Sequence, residues 1–307
     1  MACKAQMHWR GEIDAIHQKH LNNIQSDSVN GMAFHYTSPV GFHGIIANKS
    51  MWFSDCDFLN DISESNYFRE LYKCINTRCV SSVKAENFAF RFMLIMSFHS
   101  RDQGEDRKFI SQEKERRYVC SLSMDGDSLL LWNNYTKTNN MTGYNIEVNV
   151  DAFTRSIVTL NNQKKLTGRV VYDKKYQVKF LSDLFNDYLM MYLECQNQNQ
   201  RNYLYEAMED NLLVYSAFMK SDVFRYEKEY RVAILERGST SNETLFREKN
   251  GAFLPYINKS FDVKSIMSVT VSPTTRSDFV KKSVESMSDY YGVKNLIVRN
   301  SEIPLRY

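Results

Sequence analysis

The segment FRYEKEYRVAIL, residues 224 to 235, carries two carboxylates and an arginine at alternating positions. Successive side chains of a β-strand point to opposite faces, so Glu227, Glu229 and Arg231 would share one face and Tyr230 would lie on the other. A buried carboxylate without a partner is costly, so the charged face is expected to open onto water or a cleft. An edge strand with a solvated Glu/Arg ladder and a strand whose charged face lines a cleft both fit this pattern.

A second group of candidates lies in MAFHYTSPVGFHGIIANKSMWFSD, residues 32 to 55. Two predicted strands of this segment carry a histidine with its neighbours and an aromatic residue followed by a serine: His35, Tyr36, Thr37, Trp52 and Ser54. A lone histidine in a strand is commonly a hydrogen-bonded core residue. Together with Glu229 on a distant strand, however, these side chains could bind a ribose, stack on a planar ring and stabilise a cation.

The loop DCDFLNDISE, residues 55 to 64, is dense in acidic residues: Asp55, Asp57, Asp61 and Glu64. Such a cluster could hold Mg²⁺ and support phosphodiester cleavage, so a metal-dependent nuclease is one alternative. The spacing is irregular and no histidine lies among the acids. A polar loop with Asn60 and Asp61 capping a helix is therefore favoured, and no metal ligand is assigned.

Histidines and cysteines elsewhere indicate no metal centre. His17 and His20 could share a helix face, but no further ligands are evident nearby, so surface histidines are predicted. The six cysteines contain no Cys-x-x-Cys pair, so reduced and mostly buried thiols are expected, and Cys74 and Cys79 are interpreted as packing residues of a helix.

Composition limits the classes of function. The chain has 307 residues, 43% hydrophobic and 24% charged, with 19 Tyr and 19 Phe against 11 Gly. These values indicate a globular protein, and the scarcity of glycine disfavours glycine-loop nucleotide folds. A net charge of +3 is too small for a dedicated duplex-DNA binder. No apolar run reaches the length of a signal peptide or membrane span, so a cytoplasmic protein without membrane contact is predicted.

The elements that must position the candidates follow from periodicity and turn residues. Residues 1–30 are predicted to form a helical lead-in, and residues 31–307 a single domain. Helices are predicted from Pro39, over 66–99, as a pair over 177–220, and over 277–291. Strands are predicted at Met32 to Thr37, Met51 to Ser54, Tyr118 to Ser123, Gly143 to Asn149, Ser156 to Leu160, Arg169 to Tyr172, Glu229 to Leu235, Ala252 to Ile257, Ile266 to Val271 and Val293 to Val298. The order lacks strict βα alternation, which favours an α+β fold.

Four segments in the same order resemble the bacterial DUF2971 proteins: HYTSPVGFHGIIANKSMWFSDCDFLNDISE, YVCSLSMDGDSLLLWNNYT, FRYEKEYRVAI and VRNSEIPLR. The resemblance is colinear over roughly residues 33 to 306. That family is similar to the ADP-ribosyltransferase fold, and to its clade with a first-strand histidine and a late-strand glutamate. The resemblance implies a split mixed sheet with flanking helices, into which the helical pair at 177–220 is inserted.

The resemblance also implies a site. NAD would be the cofactor and substrate, with Glu229, Glu227 and His35 as catalytic residues. Glu229 would bind a ribose hydroxyl and stabilise the developing cation, and Glu227 would position or deprotonate the acceptor. The NAD-binding residues would be His35, Tyr36, Thr37, Trp52, Ser54, Tyr135 and Arg231. Tyr36, Trp52 and Tyr135 remain alternatives for the nicotinamide platform. His35 is followed by Tyr36 and not by the glycine of a His-Gly pair, and the second strand is not directly followed by the Ser-Thr-Ser motif of better-known clades.

The function implied is that of an NAD-dependent ADP-ribosyltransferase, acting on a macromolecule as a toxin or anti-phage effector. Single-stranded RNA is the first choice of acceptor, because many aromatic residues and a mildly basic balance suit base stacking, and protein is the other. A neutralising partner such as an antitoxin or chaperone is also expected. A non-catalytic sensor or binding module on the same fold remains an alternative, beside the metal-dependent nuclease.

Overall fold

The structure is a computed structural model that describes residues 2–25, 31–59, 64–75, 82–98, 116–136, 141–238, 243–249 and 251–305. The described residues form a mixed α+β fold around a ten-stranded sheet. Its strands are β1 Met32–Thr37, β2 Ser50–Asp55, β3 Arg116–Ser123, β4 Tyr144–Asn149, β5 Gln163–Arg169, β6 Glu229–Glu236, β7 Leu245–Lys249, β8 Ala252–Ser260, β9 Ile266–Val271 and β10 Ile297–Asn300. The α-helices are α1 Ala2–Gln25, α2 Pro39–Asn48, α3 Glu64–Tyr72, α4 Val83–Phe98, α5 Leu129–Tyr135, α6 Val150–Ser156, α7 Lys174–Glu194, α8 Gln198–Ser216 and α9 Asp278–Tyr290.

The sheet splits at β3. The strand order is β10-β9-β4-β1-β3-β2-β8-β7, and β6 pairs with β3 and with β5. β6 follows the whole length of one edge of β3, so β1 and β2 must share the other edge. β2 meets β3 at Tyr118 and Val119, whereas β1 meets it at Ser123. A gap therefore opens between β1 and β2, over the middle of β3.

Helices cover both faces of this sheet. On one face the side chains of Val119, Ala233 and Leu235 pack against α1, α3, α4, α7 and α8. On the other face Tyr118 and Val232 belong to a second core that includes residues of α2, α6 and α9. Alternate residues of one strand thus enter different cores, which is how a strand buried on both faces is used.

The predicted helical pair is confirmed as α7 and α8. Asp173 and Asn197 begin the two helices, because their side chains accept hydrogen bonds from the backbone N–H groups of Tyr176 and Gln200. The residues that give each helix its apolar face are buried: Phe180, Leu184, Tyr188, Met191, Leu204, Met208, Leu212 and Tyr215. Most of the unusual tyrosine content of this segment therefore serves packing.

The lead-in helix α1 packs against α7, α8 and β5. The prediction of surface histidines is wrong here, since His20 is 1% exposed and its Nε2 lies 2.7 Å from Oδ2 of Asp187 on α7. His17 is half-buried against Tyr215, and burial is the main cause that lowers its pKa to about 4. Both histidines therefore belong to the contact between α1 and the helical pair.

Three predicted strand positions need correction. A strand was predicted at Ser156 to Leu160, but Ser156 is the last residue of α6, which Asn149 caps, and residues 157–160 form no strand. The strand predicted at 169–172 lies earlier, as β5, where the lysine-rich sequence QKKLTGR hides the apolar signal. The last strand was predicted to begin at Val293 but begins at Ile297. The short edge strand β7 was not predicted.

Other predictions concern the cysteines and the membrane. Cys56, Cys120 and Cys195 are buried, but Cys74 is exposed, so its assignment to packing is wrong. Cys79 lies outside the described residues. Among the helices described, none combines the length and the apolar character that a membrane crossing requires.

Gly143, at the start of β4, permits a close approach to β1. A methyl group at this position would lie 2.6 Å from the backbone oxygen of Thr37, and it would also overlap the side chain of Thr136. Backbone cannot yield as a flexible side chain can, so Gly143→Ala is expected to lower the free energy of unfolding by about 1–3 kcal/mol. Gly11 lies in α1, where an added methyl group would meet no neighbouring atom within 4 Å. Gly11→Ala should therefore leave the free energy of unfolding unchanged or raise it. Urea unfolding of both variants measures the difference, and equal stabilities would contradict the close approach.

Candidate active site

A cavity of about 670 Å³ occupies the split between β1 and β2. Its lining includes all nine residues proposed from the sequence: His35, Tyr36, Thr37, Trp52, Ser54, Tyr135, Glu227, Glu229 and Arg231. This volume is in the range of small-molecule sites in proteins. Residues from both ends of the chain therefore meet in one place large enough for a ligand.

Strand β6 brings two of the charged residues to the cavity. Glu229 and Arg231 point to the same face, as the alternation predicts, and they are 6% and 1% exposed. β6 is paired on both sides, so an edge strand with a solvated ladder is ruled out. The charged face borders a cleft, which was the other expectation.

Glu227 reaches the cavity differently from the prediction. It ends a 3₁₀ helix, Asp222–Glu227, and Lys228 follows with φ 45° in the left-handed region, before β6 begins. Glu227 is therefore not on the strand, and strand alternation does not decide whether its side chain points the same way as that of Glu229. Its carboxylate still comes close to that of Glu229, because both bind one lysine.

That lysine is Lys220, which lies shortly after α8 and is 6% exposed. Its Nζ is 2.6 Å from Oε2 of Glu227 and 2.5 Å from Oε1 of Glu229. Arg231 binds the other side of Glu229, with Nε 2.7 Å from Oε2, and donates from Nη1 to the backbone oxygen of Ala217 at 2.8 Å. Two cations thus balance two carboxylates, and each buried charge has a partner.

The two carboxyl groups differ in their affinity for protons. Burial alone would raise the pKa of Glu229, but the charges of Arg231 and Lys220 outweigh it and hold that pKa well below its usual range. Burial, together with the hydrogen bond to Glu229, raises the pKa of Glu227. Environments that shift the pKa values of two neighbouring carboxyl groups in opposite directions are typical of acid–base sites. Glu229 is a fixed anion, and Glu227 is the group that can exchange a proton.

His35 on β1 presents a neutral imidazole to the cavity. Its Nδ1 lies 3.3 Å from the backbone oxygen of Ser121, in the middle of β3 where the sheet is split. A carbonyl oxygen only accepts, so Nδ1 carries the proton and Nε2 keeps a lone pair. Burial and then the nearby charge of Arg247 lower the pKa of His35. The ring can therefore accept a hydrogen bond from a hydroxyl group of a ligand.

The three aromatic candidates have different surroundings. Tyr36 is buried edge-to-face against Trp132, and its hydroxyl donates to the backbone oxygen of Asp125 at 2.8 Å, so it supports the wall of the cavity. Tyr135 donates from its hydroxyl to Oε1 of Glu227 at 3.2 Å. Trp52 is 49% exposed and contacts the ring of Tyr256, with centroids 4.7 Å apart. Thr37 lies beside Tyr36 at the end of β1 and is also buried.

Lys220 and Arg247 are among the cationic residues of the cavity that sequence reasoning missed. Arg247 lies on β7, donates from Nη2 to Oγ of Ser54 at 2.8 Å and sits over the ring of Trp52 at 5.4 Å. Neither residue belongs to a recognisable motif. The one available signal for Lys220 was indirect, because Glu227, Glu229 and Arg231 together carry a net negative charge that burial requires a further cation to balance.

The acidic loop does not build a metal centre from the residues that are described. Asp55 is buried and accepts from the backbone N–H of Asp57, so it caps a short 3₁₀ helix, and burial raises its pKa. The carboxylate of Asp57 lies 3.1 Å from Nη2 of Arg117. Asn60, Asp61 and the side chain of Glu64 lie outside what is described. Within the described residues, no three His, Cys, Asp or Glu side chains are grouped to hold a metal ion.

Comparison with known families adds one finding to this geometry. Residues 131–232 match the model of DUF2971, a protein family of unknown function. The match supports the DUF2971 resemblance. It covers about a third of the chain, from the first turn of α5 to the middle of β6, and includes Tyr135, Lys220 and both glutamates of the cavity. No curated protein and no solved structure matches the chain.

Proposed function

We propose that the protein is an NAD-dependent ADP-ribosyltransferase whose site is the cavity between β1 and β2. The observation that carries this proposal is the presence of a neutral histidine and two carboxyl groups with opposite pKa shifts in one cavity of about 670 Å³. ADP-ribosyl transfer needs a hydrogen-bond partner for a ribose, a fixed negative charge near the reacting carbon and a base for the acceptor.

In the proposed reaction the bond between nicotinamide and C1 of its ribose breaks, and the bonding electrons neutralise the pyridinium nitrogen. An acceptor oxygen or nitrogen then bonds to C1 and loses a proton. His35 accepts a hydrogen bond from a ribose hydroxyl at Nε2. The carboxylate of Glu229 stabilises positive charge that develops on the ribose. Glu227, which binds protons more readily, takes the proton of the acceptor.

Lys220 and Tyr135 position these groups. Lys220 joins Glu227 to Glu229, and the hydroxyl of Tyr135 holds the second oxygen of Glu227. The ring of Tyr135 is thereby fixed beside both carboxyl groups, so it is the aromatic face assigned to nicotinamide. Trp52, on the far side of the split with Arg247 over its ring, is assigned to another part of the ligand.

The acceptor assigned first is single-stranded RNA, with the protein acting as a toxin or anti-phage effector held in check by a partner. This choice rests on the aromatic-rich and mildly basic composition, since bases stack on aromatic side chains without sequence preference. Water as acceptor would give NAD⁺ hydrolysis by the same residues.

Labelled NAD⁺ incubated with RNA or with cell lysate, with and without a chelator, tests the proposal. Transfer of label to RNA that survives chelation supports it. Label on protein alone would indicate the same reaction with a protein as the acceptor. RNA cleavage that the chelator stops, without transfer of label, would instead indicate a metal-dependent nuclease.

A second candidate function is a non-catalytic binding module. Both oxygens of Glu229 are engaged by Lys220 and Arg231, as in a buried ion pair that only stabilises a fold. Binding of a ligand in the cavity with no turnover of NAD⁺ in any mixture would favour this candidate.

The pH dependence of NAD⁺ cleavage separates these functions at one residue. Glu227 must be ionised to accept a proton, and its pKa is raised above the ordinary value of about 4.3. Cleavage by the wild type should therefore increase with pH through an apparent pKa above that value. Glu227→Gln should cleave NAD⁺ about 10²- to 10⁴-fold more slowly, and its rate should no longer increase with pH in this range, because glutamine neither accepts the proton nor titrates. A variant with the wild-type pH profile would contradict the role of Glu227.

A further inference from the structure

The guanidinium of Arg247 has no counter-ion within the described part of the chain. It is half-buried, its Nη2 binds the hydroxyl oxygen of Ser54, and its Nε is shielded from solvent without a hydrogen-bond partner. Among the ion pairs of the described residues, none includes Arg247. Burial lowers its pKa, yet a guanidinium stays charged in proteins. A charge removed from water in this way is stabilised by an anion.

Strand register fixes the direction of Arg247. Ser54 of β2 pairs with Tyr256 of β8, which in turn pairs with Leu245 of β7. Directly paired residues share a face, so Arg247, two residues beyond Leu245, lies on the same face as Ser54 and Trp52. That is the face that lines the cavity. The exposed Phe246 and Phe253 point the other way.

Charge is distributed unevenly along the cavity. At one end Lys220 and Arg231 are balanced by Glu227 and Glu229. At the other end Glu248 and Lys249 also line the cavity, but no ion pair joins Arg247 to the carboxylate of Glu248. The planar fork of an arginine matches two oxygens of a phosphate. The hydroxyl of Ser54 accepts from Arg247, so its own hydrogen remains available to donate.

We propose that Arg247, Ser54 and Trp52 form a subsite that binds the diphosphate group of a nucleotide. This inference rests on the proposed function, because it gives the ligand an orientation: the reacting ribose at Glu229 and the diphosphate across the split at β2 and β7. A recessed nucleotide is favoured over the backbone of an RNA acceptor, since the unpaired Nε of Arg247 is withdrawn from solvent.

Calorimetric titration of the full chain with ADP and with adenosine tests the subsite, because the two probes differ only in the diphosphate. ADP should bind more tightly than adenosine to the wild type. Arg247→Gln should weaken ADP binding about 10- to 100-fold and leave adenosine binding unchanged. Arg155→Gln is the matched control, since Arg155 is exposed on α6 and away from the cavity.

Equal affinity of folded Arg247→Gln and wild type for ADP would overturn the subsite, as would equal binding of ADP and adenosine to the wild type. If the glutamine variant does not fold, Arg247→Lys decides. It keeps the charge but loses the fork, so a loss of about 3- to 10-fold is expected and an unchanged affinity contradicts the proposal. Arg247-dependent binding of a short RNA but not of ADP would also overturn it. ADP has no nicotinamide bond, so this result is independent of whether NAD⁺ is cleaved.

Discussion

Glu229→Gln should reduce NAD⁺ cleavage by about 10²- to 10³-fold, the usual cost of removing one preorganised group from an active site. Glutamine keeps the shape of the side chain but removes the negative charge that would face the developing cation. Release of nicotinamide and transfer of label are the measurements. Glu285→Gln, an exposed change on α9, should retain wild-type activity.

The same substitution also disturbs the charge balance of the cavity. Arg231 loses its anionic partner, while Lys220 keeps Glu227. Circular dichroism and a melting curve must therefore accompany the assay, so that inactivity is scored only in folded protein. Wild-type turnover by folded Glu229→Gln would contradict the mechanism. In cells, the variant should be tolerated where the wild type is toxic, and equal tolerance of both would count against toxicity through this site.

Lys220→Met should produce the largest loss of stability. The side chains of Lys220 and Glu229 are 7% and 6% exposed, and removing the lysine leaves two neighbouring carboxyl groups without their shared cation. Breaking a buried ion pair by removing one partner costs about 3–5 kcal/mol. Lys179→Met is the matched control, because Lys179 is 78% exposed and its change should stay within about 0.5 kcal/mol.

The pH dependence of this loss has a defined sign. Without Lys220, repulsion from Glu229 raises the pKa of Glu227 further above its value in the unfolded chain. Below the unfolded pKa, Glu227 is protonated in both states and contributes no penalty. As pH rises through the folded pKa, the ionised pair becomes costly and stability decreases. Urea unfolding of Lys220→Met should therefore show a larger deficit at pH 8 than at pH 5. A deficit that does not change with pH would show that the two carboxyl groups do not interact.

The strand residues of the cavity could be predicted from sequence because strand alternation and short motifs place them locally. His35, Trp52, Ser54 and Glu229 each lie on the predicted strand, and all four line the cavity. Glu227 was identified for the wrong geometric reason, since the left-handed backbone at Lys228 interrupts the strand pattern. The α+β class and the helical pair followed from periodicity in the same way.

The remaining features depend on contacts between distant parts of the chain. Lys220 lies beyond a helix, and Arg247 lies on a five-residue edge strand with little apolar alternation. Nothing local in either segment indicates a cavity. Likewise, His20 looked like a surface residue because its partner Asp187 is far away in sequence. Such partners become visible only when the helices and strands are packed together.

Nicotinamide release from NAD⁺, followed by proton NMR with the purified full chain in EDTA, tests the central claim most directly. Free nicotinamide should accumulate with the wild type when RNA or lysate is supplied, and folded Glu229→Gln and Glu227→Gln should each reduce this release by at least about 10²-fold. If NAD⁺ stays intact with folded wild-type protein in every mixture, the cavity does not perform ADP-ribosyl transfer.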